Sequence, residues 1–176
     1  MTTDPRHRLG QLERTDDATI LRFERSLSHP PERVWRALTE SDELRHWLPC
    51  DIIGPREEGA EVVVPFWDDV AEKHSIEDPV LTGRIVTWDP HRQFAWEWDD
   101  ELLTFDLEPT PTGTALTLVV RLGAKSPGAD QVLAGYHACL DQLVTLVDTG
   151  TAPAFIDIDH TPYEALYAEA VGHHGH

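Results

Sequence analysis

Ser126-Pro127-Gly128-Ala129-Asp130-Gln131-Val132-Leu133-Ala134-Gly135-Tyr136-His137-Ala138-Cys139-Leu140-Asp141-Gln142-Leu143-Val144-Thr145-Leu146-Val147-Asp148-Thr149-Gly150 carries the longest helical pattern in the chain. Both of its ends are marked. Ser126 is a capping residue, Pro127 suits the first helical position because its missing N–H needs no partner there, and Gly150 suits the left-handed stop. Val132, Leu133, Tyr136, Leu140, Leu143, Val144 and Val147 recur at helical spacing on one side, and Asp130, Asp141, Gln142, Thr145 and Asp148 lie opposite. So broad an apolar stripe needs a covering surface. No other helical pattern is long enough, so the cover is expected from the strands that precede it.

Those strands are legible upstream. Thr19-Ile20-Leu21-Arg22-Phe23-Glu24-Arg25-Ser26-Leu27 alternates apolar with polar residues, and His29-Pro30-Pro31 breaks it. Pro31 and Glu32 open a helix carrying Val34, Trp35 and Leu38. Thr39 followed by Asp42 has capping-box spacing and predicts a second short helix through Leu44, Trp47 and Leu48, ended by Pro49. Beyond it the period changes to two, with turn residues between the runs. Strands are expected near 51–53, 60–66, 80–88, 93–98, 102–109 and 114–122, and their short links predict an antiparallel meander. Residues 67–79 form one long acidic connection without a period, either a lid or a solvated loop.

Residues 1–17 are polar and aperiodic and read as a flexible N-terminal arm, 18–150 as the domain, and 151–176 as a C-terminal extension. In that extension Thr161-Pro162-Tyr163-Glu164 starts a short helix. At 176 residues, with 40% hydrophobic and 26% charged residues, the chain is long enough for one buried core. Fourteen Lys and Arg against 32 Asp and Glu give a formal net charge of -18, which repels nucleic acid and anionic membranes. The opening residues lack the apolar core of a secretion signal, and no apolar run is long enough to span a bilayer, so a cytoplasmic protein is expected. Cys50 and Cys139 are then expected as reduced thiols.

The order of elements, with the words Pro30-Pro31-Glu32-Arg33-Val34-Trp35-Arg36-Ala37-Leu38-Thr39, Trp47-Leu48-Pro49, Gly83-Arg84-Ile85-Val86-Thr87-Trp88-Asp89-Pro90 and Ala134-Gly135-Tyr136-His137-Ala138-Cys139-Leu140-Asp141, resembles the bacterial SRPBCC proteins named after the activator of the heat-shock-protein-ninety ATPase. They belong to the START-like, birch-pollen-allergen-like superfamily. The resemblance covers about residues 18–150. It implies an α+β helix-grip fold, a curved antiparallel sheet wrapped around a long C-terminal helix. Tyr136 stands where relatives commonly carry Trp. Superfamily members include lipid and hormone carriers, aromatic polyketide cyclases and co-chaperone domains, so the resemblance implies the fold more narrowly than the function.

Three functional expectations follow. The first is binding of a small apolar or aromatic molecule between sheet and helix, with Trp47, Phe66, Trp96, Trp98, Phe105, Leu133, Tyr136, His137, Leu140 and Val144 as its lining. The second is a cyclase- or dehydratase-like enzyme in which His137, on the flank of the stripe beside Asp141, acts as a general base. The third is a module that binds a chaperone or another protein. His46 and Cys50 are separated by Pro49, and no Gly-rich phosphate loop, Gly-x-Ser-x-Gly or His-Glu-x-x-His occurs, so no metal and no cofactor is expected. Glu97, Asp99, Asp100 and Glu101 read as solvated turn residues. A monomer and a homodimer both remain open.

Overall fold

The alternation read in Thr19–Leu27 places Leu21, Phe23, Arg25 and Leu27 on a buried face and exposes the residues between them. That strand anchors the sheet in a computed structural model of the chain, which describes residues 10–16, 18–73, 75–98, 101–123, 129–151 and 161–174. In chain order the elements are β1 (Gln11–Arg14), β2 (Thr19–Leu27), α1 (Pro31–Thr39), α2 (Ser41–Leu44), β3 (Glu61–Pro65), α3 (Asp68–Lys73), β4 (Val80–Asp89), β5 (Gln93–Trp98), β6 (Glu101–Thr110), β7 (Gly113–Leu122), α4 (Ala129–Thr149) and α5 (Thr161–His174).

The strands form one seven-stranded sheet in the order β1-β2-β7-β6-β5-β4-β3, with every pairing antiparallel. The meander from β4 to β7 follows from short turns, β3 joins it through the long connection that holds α3, and β2 closes on β7 across the sequence. The inner face reads across the registers: Phe23 opposite Leu118, Leu118 opposite Phe105, Phe105 opposite Phe94. All of these side chains are buried, and they share one core with Leu133, Tyr136, Leu140, Leu143, Leu146 and Val147 of α4. The stripe on the long helix therefore meets the sheet. This is the α+β helix-grip arrangement.

Two local features position the site. In β4 the register against β5 shifts between Ile85 and Thr87. A bulge adds one residue to one strand and reverses the alternation beyond it. Ile85 thus points inward opposite Trp96, and Trp88 also points inward, opposite Phe94. At the end of α4, Gly150 takes φ +81° and its N–H donates to the Leu146 carbonyl at 2.8 Å. That left-handed turn suits glycine and stops the helix. The start of the quoted stretch, 126–128, lies outside the described residues.

Several expectations are corrected. Gln11–Arg14, expected in the loose arm, pairs with β2 from Gln11 opposite Arg22 to Arg14 opposite Thr19. The run at 51–53 is no strand of its own; only single bridges, Cys50 to Phe66 and Ile53 to Val63, tie that segment to the sheet. The capping box at Thr39 does not form. The Thr39 hydroxyl donates to the Trp35 carbonyl at 2.8 Å, the residue before α2 is Glu40 with no side-chain cap, and α2 is four residues long. The acidic connection contains the helix α3, whose Val70 is buried.

Candidate functional site

The inner face divides into two ends along β5. At the Phe94 end the rings are tightly interlocked. Trp35 from α1 packs edge-on against Trp88 (5.0 Å between centroids) and Phe94 (6.0 Å), and Phe94 lies along Phe105 at 6.5 Å. Trp47 meets Phe105 edge-on at 5.9 Å, and its indole N–H donates to the Ala37 carbonyl at 2.7 Å. Its one polar atom is satisfied, so Trp47 serves there as a core residue. Of the expected lining, Trp47 and Phe105 belong to this end.

The Trp98 end is built differently. Trp96 and Trp98 alternate on the same face of β5 and stack at 5.9 Å with an interplanar angle of 27°. Phe66, held by its bridge to Cys50, tilts against Trp98 at 5.9 Å. Trp98 is paired across the hairpin with Glu101, and because paired residues share a face, Glu101 points inward too. It accepts a 2.8 Å hydrogen bond from the Tyr136 hydroxyl. Tyr136 in turn tilts against Phe23 at 6.4 Å. The chain thus brings Phe66, Trp96, Trp98 and Tyr136 together. Leu133, Leu140 and Val144 extend the same apolar side of α4.

Glu101 is the member that sequence reading assigned to a solvated turn. The signal for it was present: Glu101, Leu103, Phe105 and Leu107 fall in one period-two series, and the last three are buried.

Two electrostatic features mark this end. The indole nitrogen of Trp98 is buried and has no hydrogen-bond partner among the described residues. An unsatisfied buried donor costs about 1–3 kcal/mol, and tryptophan can only donate. The Tyr136 phenol is held well above its ordinary pKa, first by burial and then by the Glu101 carboxylate beside it. It is a neutral hydrogen-bonding group across the physiological range.

His137 lies elsewhere. It is 0% exposed, and its ring faces α5, 5.2 Å from the Tyr163 ring and 5.6 Å from the Tyr167 ring. Its Nδ1 shares a 2.7 Å hydrogen bond with the Tyr167 hydroxyl, and its Nε2 is 3.7 Å from Asp141 Oδ2. The Tyr163 hydroxyl donates to that same Asp141 oxygen at 2.8 Å, and the Gly10 N–H donates to the Tyr167 hydroxyl at 2.7 Å. This polar cluster fastens α5 and the start of the described chain onto α4. The flank of the stripe that carries His137 is covered by α5 rather than open to a cavity.

Cys50 and Cys139 are free and buried. Burial pushes the Cys139 thiol up to about 12 and the Cys50 thiol well above its ordinary value, so neither is a ready nucleophile. Among the described residues no group of three or more His, Cys, Asp and Glu side chains is placed to hold a metal ion, and no helix is long and apolar enough to cross a membrane. On the outer face of the sheet, Glu61, Val63, Thr82, Arg84 and Glu97 border an open groove of about 560 Å³.

Comparison with known proteins fits this architecture. No curated protein matches the sequence. Among solved structures, EF2215 from Enterococcus faecalis, a protein of unknown function, has a TM-score of 0.73 at 24% identity, over 93% of this chain and 91% of its own. CalU16 from Micromonospora echinospora has a TM-score of 0.63 at 17% identity over 93% of each chain. DynU16, a protein of the dynemicin biosynthetic locus, has a TM-score of 0.63 at 19% identity, over 78% of this chain and 50% of its own. At such identities the likeness concerns the fold. The sequence profile described as "Activator of Hsp90 ATPase homolog 1-like protein" matches residues 28–148, from the turn before α1 to the last turn of α4. With the grip and its sequence both matched, the chain belongs to the Activator of Hsp90 ATPase homolog 1-like family, within the SRPBCC superfamily.

Proposed function

We propose that this protein binds a small apolar or aromatic molecule at the Trp98 end of the grip, between β5, β6 and α4. The observation that carries the reading is the Trp98 indole N–H, buried beside Phe66 and Trp96 with no partner among the described residues. Buried polar groups in native proteins are nearly always paired, and the exceptions concentrate where a ligand or water completes the set. The aromatic faces around it supply the area that an apolar molecule needs for affinity. The opposite end lacks this character, since the Trp47 indole already donates to a carbonyl.

A cyclase- or dehydratase-type reaction on the same molecule would need a proton-transfer group at that end. The titratable pair there is Tyr136 with Glu101, whereas the His137 ring is held against α5. A phenol kept protonated by burial and a neighbouring carboxylate orients a ligand better than it accepts a proton. Binding is therefore the preferred reading. Native mass spectrometry after incubation with a mixture of lipids and aromatic metabolites tests it. A retained small molecule that stabilises the chain against heat is expected; no retained mass and no stabilisation by any component would contradict it.

A further inference from the structure

We infer that the outer face of β3 and β4 docks a second copy of this chain, about a two-fold axis that runs parallel to the two strands and midway between them. The interface is independent of what the grip holds, because it lies on the opposite face of the sheet.

The exposed apolar side chains point there. Among the described residues the large ones are Ile53, Val63 and Val80, and all three belong to one corner of the sheet. Val63 pairs with Thr82 and bridges to Ile53, while Val80 pairs with Pro65, two residues further along β3. Val62 and Val64 between them are buried, so this row lies on the outer face. Single exposed apolar residues need no explanation, but a contiguous group marks a contact surface. A partner cannot extend the sheet at this edge. The segment before β3 already occupies it, through the Asp51 N–H to the Pro65 carbonyl at 2.9 Å and reciprocal 2.8 Å bonds between Ile53 and Val63. The partner must therefore meet the face.

The register identifies that partner as a second copy. A two-fold axis between β3 and β4 sets β3 of one copy over β4 of the other, so each residue meets its own cross-strand partner from the other copy. Glu61 pairs with Arg84, Val63 with Thr82 and Pro65 with Val80. The axis thus brings Glu61 to Arg84 twice and packs Val63 on Thr82 and Val80 on Pro65, an apolar centre with an opposite-charge pair at its side. Arg84 makes no ion pair or hydrogen bond among the described residues, so its charge is available to the other copy. The open groove of about 560 Å³ bordered by Glu61, Arg84 and Glu97 gives long side chains room between sheets about 10 Å apart. An axis between β4 and β5 would also join Arg84 to a glutamate, Glu97, but would leave Ile53 and Val63 at the rim.

Analytical ultracentrifugation of the full chain over a concentration series is the test. The formal charge of -18 repels like chains at long range, so the series is run at about 0.15 M salt, which screens that repulsion. A reversible dimer is expected. Glu61→Arg and Arg84→Glu should each weaken it by about a hundredfold or more, because the symmetry turns both opposite-charge contacts into like-charge ones. Mixed in equal amounts, the two variants should associate as tightly as the unmutated chain, since each contact then joins opposite charges again. Pairing within one chain cannot produce that rescue. Val63→Asp, at an exposed position, should abolish the dimer and keep the native circular dichroism. The mass of a single chain at every concentration would overturn the inference without any variant. Single charge reversals that dimerise like the unmutated chain, or a mixture of folded variants that fails to associate, would overturn it as well.

Discussion

Glu101 is the residue whose surroundings change its meaning most. In the sequence it closes an acidic turn; in the fold it shares a rung with Trp98 and accepts from Tyr136. Replacing Tyr136 by Phe keeps the ring against Phe23 but removes the hydroxyl that donates to the half-buried Glu101 carboxylate. The change should cost about 2 kcal/mol, the range for a hydrogen bond to a charged group, read as a lower midpoint in urea. An unchanged midpoint would contradict the bond. The three tyrosines of the chain make a second prediction. Burial first, with neighbouring carboxylates, raises Tyr136 and Tyr163, and burial raises Tyr167 to about 12. In the unfolded chain these phenols ionise near their ordinary value of about 10. From there upward the folded state holds more protons than the unfolded state, so stability is fully present below about pH 10 and falls as pH rises further. An alkaline titration followed by tyrosinate absorbance should show no tyrosine ionising near pH 10 while circular dichroism stays native. A tyrosine that ionises there in the folded state would contradict its burial. At this scale the sequence placed Tyr136 on the right face of the helix; its partner was hidden because periodicity gives a side chain's direction and not what it meets.

Among the elements, β4 shows most directly how one residue sets a face. Its bulge between Ile85 and Thr87 lets both Ile85 and Trp88 point inward. Deleting Val86 would force one of them to the outer face. Either outcome exposes a large apolar side chain, so a loss of about 3 kcal/mol or more is expected, seen as a lower melting temperature with loss of near-ultraviolet dichroism. A fully stable deletion variant would contradict the assigned register. Alternation revealed β2, β6 and β7 because each buries one face only, and the helical period of its apolar stripe revealed α4. It missed β1, which is exposed along most of its length and owes its order to pairing with β2 rather than to its own residues. The extension after α4 was legible as a helix but not as a cover. In α5, Tyr167 receives the Gly10 N–H and shares a bond with buried His137. Tyr167→Phe should therefore destabilise the chain by about 1–3 kcal/mol and speed hydrogen exchange in β1 and α5 more than in the central strands. Uniform exchange rates would contradict the polar cluster as a fastening.

For the whole molecule, the long helix organises the fold as the quoted stretch implied, and the sheet covers its stripe on one side. In the order β1-β2-β7-β6-β5-β4-β3 the antiparallel meander was legible in its short turns, whereas the closure of β2 on β7 and the edge strand β1 were not. Function was less legible. Six tryptophans are present, and composition alone does not separate those that fill the core from those that border a ligand. The difference lies in their polar atoms. The Trp47 indole donates to the Ala37 carbonyl and the Trp67 indole to the Leu48 carbonyl, while that of Trp98 is buried with no partner among the described residues. This difference also supplies the most direct test of the binding site. Indole N–H resonances of the isotope-labelled chain can be followed by nuclear magnetic resonance during titration with an aromatic molecule retained in the mass-spectrometric experiment, with the Trp98 signal identified by its loss in Trp98→Phe. The account predicts that this signal moves downfield as the ligand is added, while those of Trp47 and Trp67 stay in place. A Trp98 signal that does not move at saturating ligand would contradict it.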